Sequence, residues 1–338
     1  MFNNKSIAIT GGTGSFGKKF INHILKNYKP KKLIIYSRDE LKQSELIHEY
    51  KNKYKSLRFF IGDVRDRERL TFALREIDIV VHAAALKQVE TAEYNPMECL
   101  KTNVYGAENI ISACLSNRVK KVIALSTDKA VNPINLYGVS KLASDKLFVS
   151  ANLLSGNIGT KFSVVRYGNV VGSRGSVVPL FDQYIKNKSK FLPITDANMT
   201  RFWITIEDGV KFVIKSFQRM NGGEIFIPII PTVRIVDLAK AMAPNLKQKI
   251  IGIRPGEKIH ESLCSLDESQ LVRNLKDHYV ILPNITQADP KKIYVNNLKQ
   301  VGLKVSSNFH YTSDSNSHFL NIREIQELNK KYLINIVY

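Results

Sequence analysis

Short apolar runs alternate with longer amphipathic stretches through the first half of the chain. The apolar runs predict strands at residues 6–10, 32–36, 58–62, 77–82, 121–126 and 161–167. The stretches between them predict helices at residues 18–27, 44–54, 67–74, 96–117 and 137–154. Because successive strand, helix, strand units build parallel sheets, we predict an α/β fold with a doubly wound parallel sheet.

The alternation weakens after residue 167, where Gly, Pro and Arg interrupt the pattern. A strand at 203–206, a helix at 208–219 and a strand at 224–227 are expected to return to the sheet. We therefore predict that residues 1–171 plus about 202–228 form one Rossmann-type nucleotide-binding domain. Residues of about 172–201 plus 229–338 would form a smaller, discontinuous C-terminal lobe that binds the substrate.

Length and composition exclude several classes of protein. With 338 residues and 44% apolar content, the chain can bury a sizeable core. Its 3 cysteines lie far apart and outside any Cys/His cluster, so we expect neither disulfides nor a metal site. No apolar run approaches the ~20 residues of a membrane helix, and an apolar strand rather than a secretory signal follows Met1. We therefore expect a cytoplasmic protein that does not bind a membrane.

The net charge is high, because 50 Lys and Arg residues against 30 Asp and Glu residues leave a formal charge of +20. A nucleic-acid surface would gather these cations on one face or mix them with aromatic residues. Here they are spread along the chain, so we predict no nucleic-acid partner. Two interpretations stay open: a positive field that attracts an anionic substrate, and a lysine-rich surface without a partner.

A glycine-rich loop, TGGTGSFGKKF, directly follows the first predicted strand and opens the first helix. In such loops the first glycine permits a tight turn, the second lets the backbone approach a pyrophosphate, and the third lets the helix pack closely. Gly11, Gly14 and Gly17 occupy these positions, and the helix N-terminus would face the phosphates. The loop therefore predicts a dinucleotide site, which also includes Thr13, Ser15 and Phe16.

The end of the second strand indicates which dinucleotide binds. A carboxylate there accepts hydrogen bonds from the ribose 2′-hydroxyl of NAD, but this chain has Ser37 and Arg38, which can hold a 2′-phosphate. NADP is therefore the predicted cofactor. Alternatively, Arg38 is a solvated loop residue and Asp39 binds the ribose. Further predicted cofactor contacts, which bracket the adenine or leave room beside it, follow the third and fourth strands: Asp63, Val64 and Ala83.

A tyrosine and a lysine four residues apart, Tyr137 and Lys141, follow the fifth predicted strand and share one face of a helix. Lys141 could hold the nicotinamide ribose and lower the pKa of the Tyr137 phenol by its charge, which would make the phenol a usable acid and base. Such a pair is common on helix surfaces. After a glycine loop and five alternating units, it indicates a dehydrogenase-type site.

Asp128 and Lys129 lie just upstream, where the fifth strand ends. Ligands of open parallel sheets gather at strand carboxyl ends, so both side chains are expected to face the substrate. Alcohol oxidation needs only Tyr137 and hydride alignment, whereas loss of water also needs an acid for the leaving hydroxyl and a base for the carbon proton. The pair therefore favours a dehydration. Alternatively, it is an Asp/Lys pair in a surface turn.

With these residues in place, the chain closely resembles the inverting UDP-N-acetylglucosamine 4,6-dehydratases that begin pseudaminic acid synthesis, within the extended short-chain dehydrogenase/reductase superfamily. The resemblance runs from about residue 6 to about residue 269. It rests on the blocks TGGTGSFGK, YSRDELKQSE, FFIGDVRD, HAAALKQV, ALSTDKAVNPINLYGVSK, VVRYGNVVGSRGSVVPLF, MTRFWIT and IIGIRPGEK. The most specific feature is TDK with a tyrosine nine residues after the aspartate. In dehydratases of the dTDP-glucose type, a glutamate follows the aspartate and the tyrosine lies much further along.

The resemblance implies that the chain dehydrates UDP-N-acetylglucosamine with NADP and inverts C5. Lys129 would be the base at C5, Asp128 the acid at the C6 hydroxyl, and Tyr137 the base at O4. Lys129 must then be neutral, and positive charge from Lys141 and the oxidised nicotinamide would lower its pKa. The resemblance also implies contacts for Val170 with the cofactor, for Lys87 with cofactor and substrate, and, around the UDP-sugar, for Thr127, Asn169, Arg174, Arg201, Arg254 and Glu257.

Two other functions stay open. A UDP-sugar 4-epimerase shares the oxidation at C4 but has no use for an acid at C6. A non-catalytic NADP- or RNA-binding protein would keep the glycine loop without needing the catalytic segment. The helices predicted at 96–117 and 137–154 carry outward apolar residues, and they pair between subunits in similar enzymes, so we also expect a homo-oligomer.

Overall fold

The computed structural model describes residues 1–50, 53–173, 175–284 and 293–333. Its strands are β1 (Ser6–Thr10), β2 (Lys32–Ser37), β3 (Leu57–Ile61), β4 (Ile79–His82), β5 (Lys121–Thr127), β6 (Lys161–Tyr167), β7 (Asn169–Val170), β8 (Phe191–Ile194), β9 (Thr200–Ile204), β10 (Ile225–Pro228), β11 (Thr232–Arg234), β12 (Lys247–Ile250), β13 (Ser262–Cys264), β14 (Val272–Asn274), β15 (His278–Ile281), β16 (Tyr294–Val295), β17 (Val301–Lys304) and β18 (Tyr311–Thr312). Its helices are α1 (Ser15–Asn27), α2 (Glu40–Tyr50), α3 (Arg67–Ala73), α4 (Val89–Tyr94), α5 (Pro96–Leu100), α6 (Gly106–Ser116), α7 (Leu136–Leu154), α8 (Val177–Lys186), α9 (Ile206–Arg219), α10 (Ile235–Met242) and α11 (Ile322–Leu333).

Within the described ranges, the largest sheet has 11 strands in the order β16-β17-β14-β15-β10-β6-β5-β4-β1-β2-β3. The strands from β10 to β3 in this order pair in parallel, and those before β10 pair antiparallel. The chain moves outwards through β1, β2 and β3 and then returns to the other side of β1 with β4. This reversal confirms the predicted doubly wound α/β fold. It also opens a crevice beyond the carboxyl ends of β1 and β4.

Helices cover the parallel strands, which explains why those strands read as continuous apolar runs. Every residue of β1 is buried, as expected for a strand with both faces covered. Helix α1 turns Phe20, Ile21 and Ile24 inwards and packs beside α9, while α3, α6 and α7 pack beside one another. The centre of the large sheet is therefore buried, whereas its outer strands β3 and β17 carry exposed residues.

Two predictions about individual elements are wrong. The strand at Trp203 does not return to the large sheet, because β9 pairs with β7 and β11 in a separate sheet. All of β9 is buried, and an apolar run does not specify which sheet a strand joins. The continuous helix predicted at 96–117 is interrupted by a π-helical turn, Lys101–Tyr105, between α5 and α6.

A second apolar cluster lies outside the large sheet. It includes Phe181, Leu192, Trp203, Leu238 and Ile325, and therefore joins the middle of the chain to α11. Strands β14 to β17, which fall in the stretch assigned to the substrate lobe, extend the edge of the large sheet instead. The residue ranges of the two domains stay a prediction.

The described part of the chain has neither a membrane-spanning helix nor a metal-binding cluster. No helix there is both long enough and apolar enough to cross a bilayer, and the cytoplasmic location stays a prediction. The same residues contain no group of His, Cys, Asp or Glu side chains arranged to hold a metal ion.

Candidate active site

A cleft of about 590 Å³ opens at the carboxyl ends of β1, β2, β4 and β5. The structure brings most of the predicted site residues together around it, although their individual roles stay predictions. The cleft is lined by Gly11, Thr13, Gly14, Ser15, Phe16, Gly17, Ser37, Arg38, Asp63, Val64, Ala83, Lys87, Thr127, Asp128, Lys129, Tyr137, Lys141, Asn169 and Val170.

Among the described residues, the predicted substrate ligands Arg201, Arg254 and Glu257 do not line this cleft. Arg174 lies outside the described residues. Arg254 is exposed and Glu257 half-buried in the loop before β13. Arg201 is buried, and its guanidinium donates hydrogen bonds to the carbonyls of Thr200, Lys258 and Ile259 at 2.7–2.9 Å. Contact of these residues with substrate stays a prediction.

The glycine loop has the geometry that a pyrophosphate needs. Gly11 has a φ of +66°, and a Cβ there would lie 2.8 Å from the backbone nitrogen of Ala84. At Gly17 a Cβ would lie 2.3 Å from the carbonyl oxygen of Gly12, so the helix could not pack so closely on the loop. Both positions therefore require glycine, and their roles in cofactor binding stay predictions. Gly14 immediately precedes α1 and has no side chain to cap its first amides, which is the arrangement that suits a bound phosphate.

Cations surround the end of β2, where the adenosine ribose is expected. The Asp39 carboxylate accepts a hydrogen bond from the backbone amide of Lys42 at 3.0 Å and pairs with the Lys42 ammonium. Lys42 itself lines the cleft. Arg38 lies 3.7 Å and Arg65 2.8 Å from Asp63 Oδ2. Burial would raise the pKa of Asp63, but these two arginines outweigh it and hold that pKa below its ordinary value.

The catalytic segment is fixed by its connection to the loop before β13. Asn135 caps α7, because its Oδ1 accepts a hydrogen bond from Gly138 N at 2.8 Å. Its Nδ2 donates to the Gly256 carbonyl at 2.8 Å. Lys258 Nζ donates to the Val131 carbonyl at 2.6 Å. The RPGEK block is therefore bound directly to the turn that carries Asp128 and Lys129.

The lysine of this segment lies between two buried carboxylates. Lys129 Nζ is 3.1 Å from Asp128 Oδ1 and 3.0 Å from Glu261 Oε1. The Asp128 and Glu261 side chains are 1% and 2% exposed. Burial and the Glu261 charge raise the pKa of Asp128 despite the nearby ammonium, which favours its protonated, acidic form. The interpretation of Asp128 and Lys129 as a surface turn pair is therefore wrong.

Two electrostatic predictions are also wrong. Burial alone would lower the pKa of Lys129, but the charges of Asp128 and Glu261 outweigh it and raise that pKa. The lysine is therefore held as an ammonium rather than as a neutral base. Burial raises the pKa of Tyr137 to about 12, and the cation that partly opposes this shift is Lys129 rather than Lys141. Lys141 is buried, and its Nζ donates to the Leu125 carbonyl at 2.7 Å.

The π-helical turn brings a residue to the site that sequence reasoning missed. Asn103 lies within this turn, and its side chain accepts a hydrogen bond from Leu86 N at 2.8 Å and donates to Leu86 O at 2.9 Å. It also donates to Ser140 Oγ at 2.9 Å. Asn103 therefore ties the loop that carries Lys87 to the helix that carries Tyr137. Turns of this kind recur at functional sites.

The chain is similar to known proteins over most of its length. The model of a polysaccharide biosynthesis protein family matches residues 7–283. An inverting UDP-N-acetylglucosamine 4,6-dehydratase from Campylobacter jejuni (serotype O:23/36, strain 81-176) is 58% identical over 329 residues, or 97% of this chain and 98% of that protein. This chain belongs to the family of the inverting UDP-N-acetylglucosamine 4,6-dehydratases.

Two further proteins are similar to this chain at lower sequence identity. The X-ray structure of Pen from Bacillus thuringiensis has a TM-score of 0.87 and 35% identity, and the match covers 98% of both chains. A UDP-glucose 4-epimerase from Rickettsia bellii (strain OSU 85-389) is 42% identical over 345 residues, or 100% of this chain and 98% of that protein. The first confirms the fold, and the second makes epimerisation the activity against which dehydration must be tested.

Proposed function

We propose that this chain is an NADP-dependent hydro-lyase that converts UDP-N-acetylglucosamine into UDP-2-acetamido-2,6-dideoxy-β-L-arabino-hex-4-ulose, with inversion at C5. The observation that carries this proposal is the pair of Asp128 and Lys129, 3.1 Å apart beside Tyr137 on the wall of one cleft. An epimerase would need the phenol alone, whereas a dehydratase needs all three groups. The product would enter pseudaminic acid synthesis for flagellin or surface glycans.

The adenosine end of the cleft favours NADP over NAD. Asp39, the alternative ribose ligand, is already paired with Lys42. A 2′-phosphate beside Ser37 would meet the cations of Arg38 and Lys42, and such charge-assisted contacts are the strong ones. Bound NADP would take up hydride from C4 and return it to C6.

Each proton transfer then has a residue of the chain to perform it. Tyr137 takes the O4 proton during oxidation at C4, and its raised pKa means that it needs nearby positive charge to act near neutral pH. The resulting ketone acidifies the C5 proton, which Lys129 removes once its ammonium has given up a proton to a neighbouring carboxylate. Asp128 protonates the departing O6, a role for which its raised pKa suits it. A proton added to C5 from the opposite face completes the inversion.

The overall charge of +20 agrees with this substrate. UDP-sugars carry a diphosphate, and a positive field increases the rate at which anionic substrates reach a cleft. The excess of Lys and Arg is therefore interpreted as a positive field that attracts the anionic substrate, rather than as a lysine-rich surface without a partner.

The test is product analysis by NMR, with UDP-N-acetylglucosamine in deuterated water. We expect a 6-deoxy-4-keto product with deuterium at C5. A 4-epimer that keeps its C6 hydroxyl would refute dehydration. Asp128→Asn should stop water loss while bound NADPH accumulates, and Lys129→Met should also abolish exchange at C5. Tyr137→Phe should instead suppress the first oxidation by ~10²–10⁴-fold.

Matched controls distinguish loss of chemistry from loss of charge. Asp267→Asn and Lys146→Met change the same residue types at exposed positions and should leave turnover unchanged. Near wild-type formation of the 6-deoxy product by both the Asp128 and the Lys129 variant would show that the assigned roles are wrong.

A further inference from the structure

Glu261 immediately precedes β13, in a stretch where the motifs indicated no functional residue. Its side chain is 2% exposed, and Oε1 contacts Lys129 Nζ at 3.0 Å. The other oxygen, Oε2, is buried without a hydrogen-bond partner among the described residues. Burying a carboxylate oxygen in this way is costly. A cost of this kind, directly beside the reacting lysine, indicates that the charge serves the chemistry.

The backbone of Glu261 is fixed from the C-terminal part of the chain. Glu261 N donates to Ser313 Oγ at 2.9 Å, and Ser313 N donates to Glu261 O at 2.8 Å. Ser313 is fully buried and follows β18, which pairs with β13. Its hydroxyl also hydrogen bonds with Thr200 Oγ1 at 2.7 Å. The backbone that carries the carboxylate is therefore held independently of Lys129.

The charges around this carboxylate define where protons reside. Asp128 and Lys129 face it from the turn after β5, Arg201 from β9, with Nε at 3.8 Å, and Lys258 from the adjoining loop. Burial would raise the pKa of Glu261, but the cations, Lys129 first, lower it. The pKa of Asp128 is raised. These directions favour a protonated Asp128, an ammonium at Lys129 and an ionised Glu261, an arrangement that has an acid but no base.

Building on the proposed function, we propose that Glu261 is a positioning residue that holds Lys129 beside the C5 carbon of the substrate and accepts its proton. The proton passes from Lys129 Nζ to Glu261 Oε1, which leaves a neutral amine and a carboxylic acid. Further exclusion of water by the bound UDP-sugar would favour this transfer, because burial lowers the pKa of Lys129 and raises that of Glu261. Asp128 already holds the proton destined for O6, so Glu261 is the acceptor within reach.

The proton balance of the step closes within these three residues. The amine lone pair takes the C5 proton, the C5–H electron pair forms the C5=C6 bond, and the C6–O bond breaks as Asp128 protonates the leaving oxygen. Lys129 is then an ammonium and Asp128 a carboxylate. Transfer of the proton across their 3.1 Å contact restores the acid.

The test is the Glu261→Gln variant, which keeps the shape of the side chain and removes its charge. Removing the Glu261 charge removes one cause of the raised pKa of Asp128, so Asp128 can ionise in this variant and take the lysine proton. We therefore expect a partial loss: dehydration and C5 exchange in deuterated water slowed by ~10–10²-fold, less than the full range for acid–base catalysis. Oxidation at C4 should persist, so bound NADPH should accumulate. Glu261→Asp, which keeps the charge, should recover part of the rate, and exposed Glu327→Gln should match the wild type.

Two further measurements separate this role from a merely structural one. In the Lys129→Met background, Glu261→Gln should leave the remaining C4 oxidation, read as bound NADPH, unchanged, because the effect of Glu261 passes through the lysine. Ser313→Ala, which removes the hydroxyl that accepts from Glu261 N, should give the same selective loss on a smaller scale. Equal slowing of C4 oxidation and dehydration, or wild-type C5 exchange in Glu261→Gln, would overturn the proposal. Failure of the wild-type protein to form the 6-deoxy product would refute the proposed function instead.

Discussion

Replacement of Asn135 by alanine should weaken both the fold and the site, because one side chain makes two connections. Its carbonyl oxygen caps α7 through Gly138 N, and its amide nitrogen bonds to the Gly256 carbonyl, each at 2.8 Å. Loss of an N-cap costs ~1 kcal/mol, and loss of a hydrogen bond at a buried site costs ~1 kcal/mol. Since the bonds reach different segments, Asn135→Ala should lower the free energy of unfolding by about 2 kcal/mol.

Asn135→Ser is the matched control, because serine keeps the cap but cannot reach Gly256. It should lose only ~1 kcal/mol. Urea unfolding followed by circular dichroism measures both values. Steady-state kinetics should show a raised KM for the UDP-sugar in both variants, since each loosens the loop that carries Arg254 and Glu257. The reasoning is refuted if the alanine variant is as stable as the wild type, or if the two variants lose equal stability.

Three further predictions concern cofactor choice, assembly and pH. Arg38→Asp and Lys42→Asp should each weaken NADP binding more than NAD binding in calorimetric titrations, and equal or tighter wild-type binding of NAD would contradict the NADP assignment. The exposed apolar residues Met97, Tyr105 and Val139 should be covered by a second copy of the chain, so light scattering at micromolar concentration should not give a monomer. Burial lowers the pKa of His82 to about 3, so the folded state excludes a proton that the unfolded chain binds below about pH 6.5. Stability should therefore fall as the pH drops from 6.5 towards 3, and His82→Asn should reduce this slope by up to ~1.4 kcal/mol per pH unit, as measured by urea unfolding at several pH values.

Local patterns predicted the nucleotide-binding half of the molecule well. The strands at 6–10 and 161–167 have the predicted bounds, because parallel strands buried on both faces form uninterrupted apolar runs. The glycine loop was also predictable, since close packing at Gly11 and Gly17 leaves no room for a side chain. In both cases the information lies within a few neighbouring residues.

The parts that sequence reasoning missed depend on residues far apart in the chain. Glu261 contacts Lys129 although the two residues are 132 positions apart in the sequence. The backbone of Glu261 is in turn held by a hydrogen bond to Ser313 in the C-terminal part of the chain. The pKa directions at Lys129 and Tyr137 were predicted wrongly because the motif residues were considered without their folded surroundings. The charges of Asp128 and Glu261 raise the pKa of Lys129, and burial raises that of Tyr137. The sequence signal for Glu261 lies in the segment HESLCS, where a glutamate directly precedes a short apolar strand. Burial of that strand also buries the glutamate.

The π-helical turn at Lys101–Tyr105 makes the active site sensitive to the deletion of a single residue. A helix turns by about 100° for each residue. If a one-residue deletion converted the π-helical turn into regular α-helix, the helical residues before the turn would therefore rotate by about 100° relative to those after it. Asn103 could not then face both Leu86 and Ser140 as it does now. In this stretch, a deletion of one residue would disturb the catalytic geometry more than most substitutions, although the helix itself would become more regular.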